Sequence, residues 1–283
     1  MTQAVEAQVE PGHLSVTAGS VRSTFRHIHA ARHPILAEYT RDEIYGNGDK
    51  MASGALYLAA EMTRSVALAP GDRVLDLGCG KGDTSVLLSR HFGVRVAALD
   101  LWITKEFLRE KFTTKGYGEQ IVPYNLNATR TLPFDDKYFD AVFCMQAFHS
   151  FGGSIHFLEH LLRYLKPGGQ ICVAGTCFNE EFEDGVVPHA YRDTDGWDTE
   201  YTKYHSPGWW RTLFESSRLV DVTECYELDD GLAMWEDVIL YGWERASWSE
   251  KWFEKSRWLI RQLVYSRSHS PYLTHFVLSA RKR

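Results

Sequence analysis

The segment GDRVLDLGCGKGDTSVLLSRHFGVRVAALDLW, from Gly71 to Trp102, limits the fold more tightly than any other part of the chain. Its short run RVLDL, built on Val74, Leu75 and Leu77, reads as a strand. Gly78, Gly80 and Gly82 then form a turn that a backbone with side chains would follow poorly. DTSVLLSRHF has helical periodicity, with Asp83 or Thr84 expected as its N-cap. VRVAALD returns as a second strand and closes on Asp100. Strand, helix and strand in this order make a right-handed crossover, so the chain is committed to a parallel sheet with helices on its faces.

The alternation continues. A helix is expected from about Thr104 to Lys115, then the strand QIVPYNL. FDAVFCMQA is almost wholly apolar, which suits a strand covered on both faces. SIHFLEHLLRYLKPGG reads as an amphipathic helix stopped by Pro167, Gly168 and Gly169. QICVAGTCF is a fifth strand, PGWWRTLFESSR a helix, and LVDVTECYEL and LTHFVLSARK two further strands. The expected fold class is α/β, a doubly wound, mostly parallel sheet. Residues 1–20 lack periodicity and read as a disordered arm. Residues 21–70 read as an N-terminal helical lid, although Pro34 should break its first helix. Residues 71–283 form one domain, with insertions at about 179–205 and 228–272 and helical character in the second.

Composition excludes several classes. The hydrophobic share of 44% and charged share of 24% are those of an ordinary globular chain. No window is long and apolar enough to span a membrane, and the N-terminus has no secretory pattern, so a cytoplasmic protein without a membrane partner is expected. A net charge of −6 argues against nucleic acid as a partner and leaves a small molecule. A homodimer is left open. Cys79, Cys144, Cys172, Cys177 and Cys225 have no CxxC spacing and read as reduced, buried thiols. In HIHAARH, His29 and His33 share a helical face, but no carboxylate completes a ligand set, so no metal is expected.

A glycine turn leading into a helix N-terminus offers backbone N–H groups and the positive end of a dipole. Three ligands compete for it. A phosphate loop needs GxxxxGK followed by Ser or Thr, and Lys81 sits instead between two glycines. A dinucleotide turn needs GxGxxG, whereas this one is GxGxG, and Asp76 before it would repel a pyrophosphate. An acid in that place suits a ligand with an ammonium group and no phosphate.

VLDLGCGKG resembles the first motif of the class I S-adenosylmethionine-dependent methyltransferases. ALD, LNATRTLPFDDKYFDAV, FCMQAFHSF and LKPGG follow in that family's order, over about Val74 to Thr176. The resemblance implies a Rossmann-like, seven-stranded sheet with a helical cover. It further implies that Asp76, Gly78, Cys79, Gly80 and Gly82 line the methionyl and ribose part of S-adenosyl-L-methionine. Asp100 would accept from both ribose hydroxyls, and Leu101 or Trp102 would pack on the adenine. Asn127, where the family often has Asp, would read the adenine edge with the backbone of Ala128, and Gln146 would face the methionyl group.

Methyl transfer is an in-line displacement governed by positioning, and needs a base only when the acceptor must lose a proton. His149, just beyond the strand FCMQA at the carboxyl edge of the sheet, is the candidate base, and Tyr45 in EIYGNGD the candidate lid residue. His205 in KYHSPGWW is read as a helix cap. Eight of the nine tryptophans lie between Trp197 and Trp258. Trp197, Trp209, Trp210 and Trp235 are candidate walls for a planar or cationic acceptor, with Glu236 as a partner for an amine. The expected activity is methylation of a specialised-metabolism acceptor at N, O or an aromatic carbon such as an indole position. Aminopropyl transfer from the same donor, and a non-catalytic cofactor-binding protein, are the alternatives.

Overall fold

A computed structural model describes residues 33–45, 55–182, 186, 202–229, 231, 234, 237, 241 and 273–283. Seven strands run in the order β3-β2-β1-β4-β5-β7-β6. They are β1 (Arg73–Leu77), β2 (Arg95–Asp100), β3 (Ile121–Asn125), β4 (Phe139–Met145), β5 (Leu165–Phe178), β6 (Val220–Glu227) and β7 (Leu273–Lys282). β1 to β5 are parallel, and β7 is antiparallel to both β5 and β6. The mostly parallel, doubly wound sheet of the sequence reading is therefore present. Central β4 buries Phe139 and Ala141 to Met145, whereas edge strand β3 alternates, with Ile121 buried and Val122 exposed.

One face of the sheet carries α2 (Ala55–Met62), α3 (Asp83–Phe92) and α4 (Lys105–Thr114), whose Leu58, Leu87, Leu88, Leu108 and Phe112 share a core. The other carries α5 (Ile155–Arg163) and α6 (Pro207–Ser216), with Leu158, Leu161, Trp210 and Phe214. Ahead of α2 lie a 3-10 turn, Pro34–Glu38, and α1 (Arg41–Tyr45). Thr40 and Glu43 cap α1 reciprocally: the Thr40 N–H donates to Glu43 Oε2 (3.0 Å) and the Glu43 N–H to Thr40 Oγ1 (3.2 Å). In α2 the carboxylate of Glu61 is buried. Burial alone would raise its pKa, but His33 and Arg64 (each 2.8 Å) and the Tyr226 hydroxyl (3.1 Å) hold it below the usual range.

Three local expectations change. The N-cap of α3 is Gly82, at φ +81°, and Asp83 is the first helical residue. Helix α5 stops at Arg163 rather than Pro167. The carbonyl of Tyr164 accepts from the Phe139 N–H (2.9 Å) and Leu165 joins the ladder to β4, so Pro167 to Gly169 become an irregular start to β5. Ser206, not His205, caps α6, accepting from the Trp209 N–H at 3.2 Å.

Gly231, Met234, Asp237 and Tyr241, within the second expected insertion, are helical. The expected arm at 1–20, most of both insertions, and His27 and His29 lie outside the described residues. Among the described residues, no helix is long and apolar enough to cross a membrane. Cys79, Cys144, Cys172 and Cys177 are buried and unbridged, and burial pushes each thiol up.

Candidate active site

The carboxyl ends of β1, β2 and β4 open onto a cavity of about 370 Å³. Leu77 hands the chain to Gly78, at φ +70°, and the N–H groups of Gly78 and Cys79 both donate to the Leu99 carbonyl (2.8 and 3.0 Å). A Cβ on Gly78 would lie 2.4 Å from the Cβ of Ala147, so this glycine lets the turn close against the end of β4. A Cβ on Gly82 would meet the Phe112 ring at 2.6 Å, so that glycine lets α4 approach.

Asp100, 5% exposed, ties the second strand to this turn. Its Oδ2 accepts from the Gly80 N–H (2.9 Å), and its Oδ1 from the N–H groups of Trp102 (2.8 Å) and Ile103 (3.0 Å). A carboxylate accepts about four hydrogen bonds, so Oδ2 keeps room for about one more donor, fewer than the two hydroxyls expected. Leu101 and Trp102 line the cavity with 51% and 71% of their surface exposed, apolar area that a flat ligand would cover. The Oδ1 of Asn127 accepts from the Thr129 N–H (2.9 Å) and hydroxyl (2.8 Å). A backbone N–H can only donate, which fixes the amide orientation and presents the Nδ2 donors to a ligand. Ala128 is buried behind it.

Two polar groups beneath the turn are under-compensated. Thr84, in the first turn of α3, lines the cavity and is 1% exposed, and its hydroxyl has no hydrogen-bond partner among the described residues. Asp76, 1% exposed, accepts from the Ser85 hydroxyl at 2.6 Å. Burial still pushes its carboxyl up to about 7, with the charges of Asp100 and Asp83 adding to the effect. Asp76 and Gly82 lie behind the lining rather than in it. Lys111 on α4 clamps the outside of the turn, donating to the Lys81 carbonyl (2.6 Å) and to Asp83 (2.9 Å).

The far end of the cavity is formed by Ala55, Met145, Gln146, Ala147, Ser150 and Phe151. Gln146 has φ +54°, and its side chain bonds to Thr176 on β5. His149, in the 3-10 turn Phe148–Phe151, is half-buried with its ring edge-on to Tyr204 (centroids 5.1 Å); its neighbours Ser150 and Phe151 line the cavity and it does not.

Other expected residues lie elsewhere. Tyr45 is 5% exposed, its ring 5.0 Å from that of Tyr241 with the Arg41 guanidinium nearby, and burial pushes its hydroxyl up. It packs α1 against the segment carrying Tyr241 and does not reach the cavity lining. Trp210 is a core residue rather than an acceptor wall: it is 2% exposed, stacked on Phe276 (6.0 Å) and edge-on to Phe148 (5.6 Å). Trp209 stacks on His205 at 3.7 Å, and His205 pairs with Glu181 at 3.1 Å. Trp197, Trp235 and Glu236 lie outside the described residues.

Sequence reasoning missed Thr84, Thr129, Lys111 and Thr176. Thr129 had a local signal, because Asn two residues before a hydroxyl favours a side-chain turn. Thr176 had a weaker signal in the parallel ladder, which pairs Met145 with Ala174 and so sets Gln146 beside Gly175, one residue before Thr176.

Residues 75–173 match the family model described as a methyltransferase domain. The demethylmenaquinone methyltransferase of Clavibacter sepedonicus is 32% identical over 187 residues, covering 65% of this chain and 68% of that protein. The glycine/sarcosine/dimethylglycine N-methyltransferase of Actinopolyspora halophila is 29% identical over 124 residues, covering 44% of this chain, which spans only 22% of that protein. In fold, the chain is similar to the geranyl diphosphate C-methyltransferase of Streptomyces coelicolor A3(2), with a TM-score of 0.62 at 18% identity, over 93% of this chain and 87% of that one.

Proposed function

Because the chain belongs to the class I S-adenosylmethionine-dependent methyltransferases, with S-adenosyl-L-methionine as its methyl donor, we propose that it methylates a small specialised-metabolism acceptor at N, O or an electron-rich ring carbon. The cavity that joins the glycine turn, Asp100 and Asn127, with Thr84 unsatisfied in its wall, is the observation that carries this reading.

The residues present fit the donor. Thr84 lacks, among the described residues, a partner that a polar ligand supplies, Gly78 leaves the space a side chain would fill, and burial with two neighbouring carboxylates pushes Asp76 toward its neutral form, which a ligand ammonium would oppose. Bound there, the donor supplies a methyl group activated on a sulfonium. Asp76 favours the ammonium electrostatically from behind the turn, Oδ2 of Asp100 takes a ribose hydroxyl, Leu101 and Trp102 cover the adenine, and Asn127 donates to its edge. Gln146 borders the methionyl end. The apolar surfaces of Met145, Ala147 and Phe151 exclude water where acceptor and methyl meet, so orientation supplies most of the acceleration.

The test is a mass-spectrometric turnover screen with methyl-labelled donor and pooled amines, phenols, indoles and keto acids. A labelled product with S-adenosylhomocysteine released supports the proposal. Release of methylthioadenosine would replace it with transfer of the donor's aminocarboxypropyl arm, the aminopropyl-type alternative. Tight donor binding with no transfer to any pool would favour a binding-only protein.

A further inference from the structure

We infer that Thr176 and His275 form a buried positioning relay that fixes the side chain of Gln146 at the methionyl end of the donor cavity, a role that rests on the donor-cavity reading above. Gln146 needs such help. It is one of three non-glycine residues in the left-handed region among the described residues, at φ +54°, a conformation that persists only where neighbours over-determine it. Its backbone N–H donates to the Ala174 carbonyl at 2.7 Å. Its Oε1 accepts from the Thr176 N–H at 2.9 Å, and its Nε2 donates to Thr176 Oγ1 at 3.1 Å. The side chain thus lies along β5 as though it were another residue of β4.

Thr176 is itself held. It pairs with His275 across the antiparallel β5–β7 ladder, and its Oγ1 is 3.2 Å from His275 Nε2. Thr176 is 8% and His275 2% exposed. The ring is enclosed: a Cβ on Gly231 would lie 3.0 Å from both the backbone nitrogen and Nδ1 of His275. On the other side of the relay, a Cβ on Gly175 would come within 3.3 Å of Gln146 Oε1.

The sheet alone does not require this arrangement. Valine and phenylalanine would fill the Thr176 and His275 positions without desolvating two polar groups, and such groups are tolerated when they satisfy one another in a network. This network ends on a residue of the cavity wall. With Oε1 fixed by a backbone N–H, the Gln146 amide cannot flip. One Nε2 hydrogen goes to Thr176, and the other is left as a donor for the methionyl carboxylate.

The test uses calorimetric titration of the full chain with two probes. S-adenosylhomocysteine carries the amino-acid part, and 5′-methylthioadenosine does not. Thr176→Val should weaken S-adenosylhomocysteine binding by about five- to tenfold, as expected for one lost buried hydrogen bond, and leave methylthioadenosine within about twofold. Thr176→Ser, which keeps the hydroxyl, should restore wild-type affinity for both. His275→Phe repeats the experiment from the other end of the relay and should give the same split. Equal losses for the two probes, no loss for either, or failure of serine to rescue would each overturn the relay. A wild-type protein that binds neither probe would overturn the donor-cavity reading itself, which separates the two failures.

Discussion

Asp76→Asn should stabilise the ligand-free protein above neutral pH and weaken its hold on the donor. The carboxyl is 1% exposed, and burial, aided by the charges of Asp100 and Asp83 and opposed by the Ser85 hydroxyl, raises it from 3.8 to about 7. Between those values the folded chain keeps a proton that the unfolded chain has lost. The stability from this group is therefore complete below about pH 4 and falls by about 1.4 kcal/mol per pH unit until about pH 7, above which it is gone. From pH 6 to pH 8 the loss amounts to about 1.4 kcal/mol in the wild type. Asparagine does not titrate and still accepts from Ser85. Urea unfolding of both ligand-free proteins at pH 6 and pH 8 measures the effect, which should appear as a change in midpoint without a change in slope. An ammonium group nearby favours the ionised carboxylate, so S-adenosylhomocysteine should bind wild type progressively better than the variant as pH rises across that window. The ligand's own amine titrates in both experiments and cancels in the comparison. Parallel stability curves for the two proteins, or an affinity difference independent of pH, would refute the reasoning.

Two substitutions probe the architecture around the cavity. Gly78→Ala combines a left-handed backbone with a Cβ 2.4 Å from that of Ala147, and should cost about 1–3 kcal/mol in thermal unfolding and weaken donor binding. Adding Ala147→Gly should recover part of that loss, and no recovery would mean that the steric contact is unimportant. Trp210→Ala should cost about 3–5 kcal/mol while leaving donor and acceptor affinities of the folded protein within about twofold. A tenfold or larger loss of acceptor affinity with little loss of stability would return Trp210 to the cavity wall.

The strands were legible because largely apolar runs such as RVLDL and FDAVFCMQA are covered on both sides and cannot be mistaken for solvent-facing helix. LTHFVLSARK matches β7 from end to end. The end of α5 was misjudged because Pro167, Gly168 and Gly169 are generic helix stops, and nothing local reveals that the Tyr164 carbonyl is taken by Phe139. Likewise the glycine turn announces a ligand, but spacing does not show that Asp100 spends three of its hydrogen-bonding sites on the backbone. Trp210 illustrates a different failure: a cluster in sequence disperses in space, because α6 turns one tryptophan into the core and leaves its neighbour on His205. Thr176 and His275 were silent because their partnership depends on a long-range register that no short window contains.

That register also governs how the chain is made. β5 has one side open until β7 arrives, and Phe178 waits for Leu273, roughly a hundred residues later in synthesis. β6, although made earlier than β7, cannot dock on β5, because β7 must be inserted between them. A nascent chain therefore exposes the unpaired edge of β5, bordered by the apolar run ICVAGTCF, for the whole interval, and β6 as well once it is made. Slow decoding or stalling within that interval would prolong the exposure and divert the protein toward aggregation. Expression yield should therefore respond to translation rate and to holding chaperones more strongly than the stability of the finished sheet suggests.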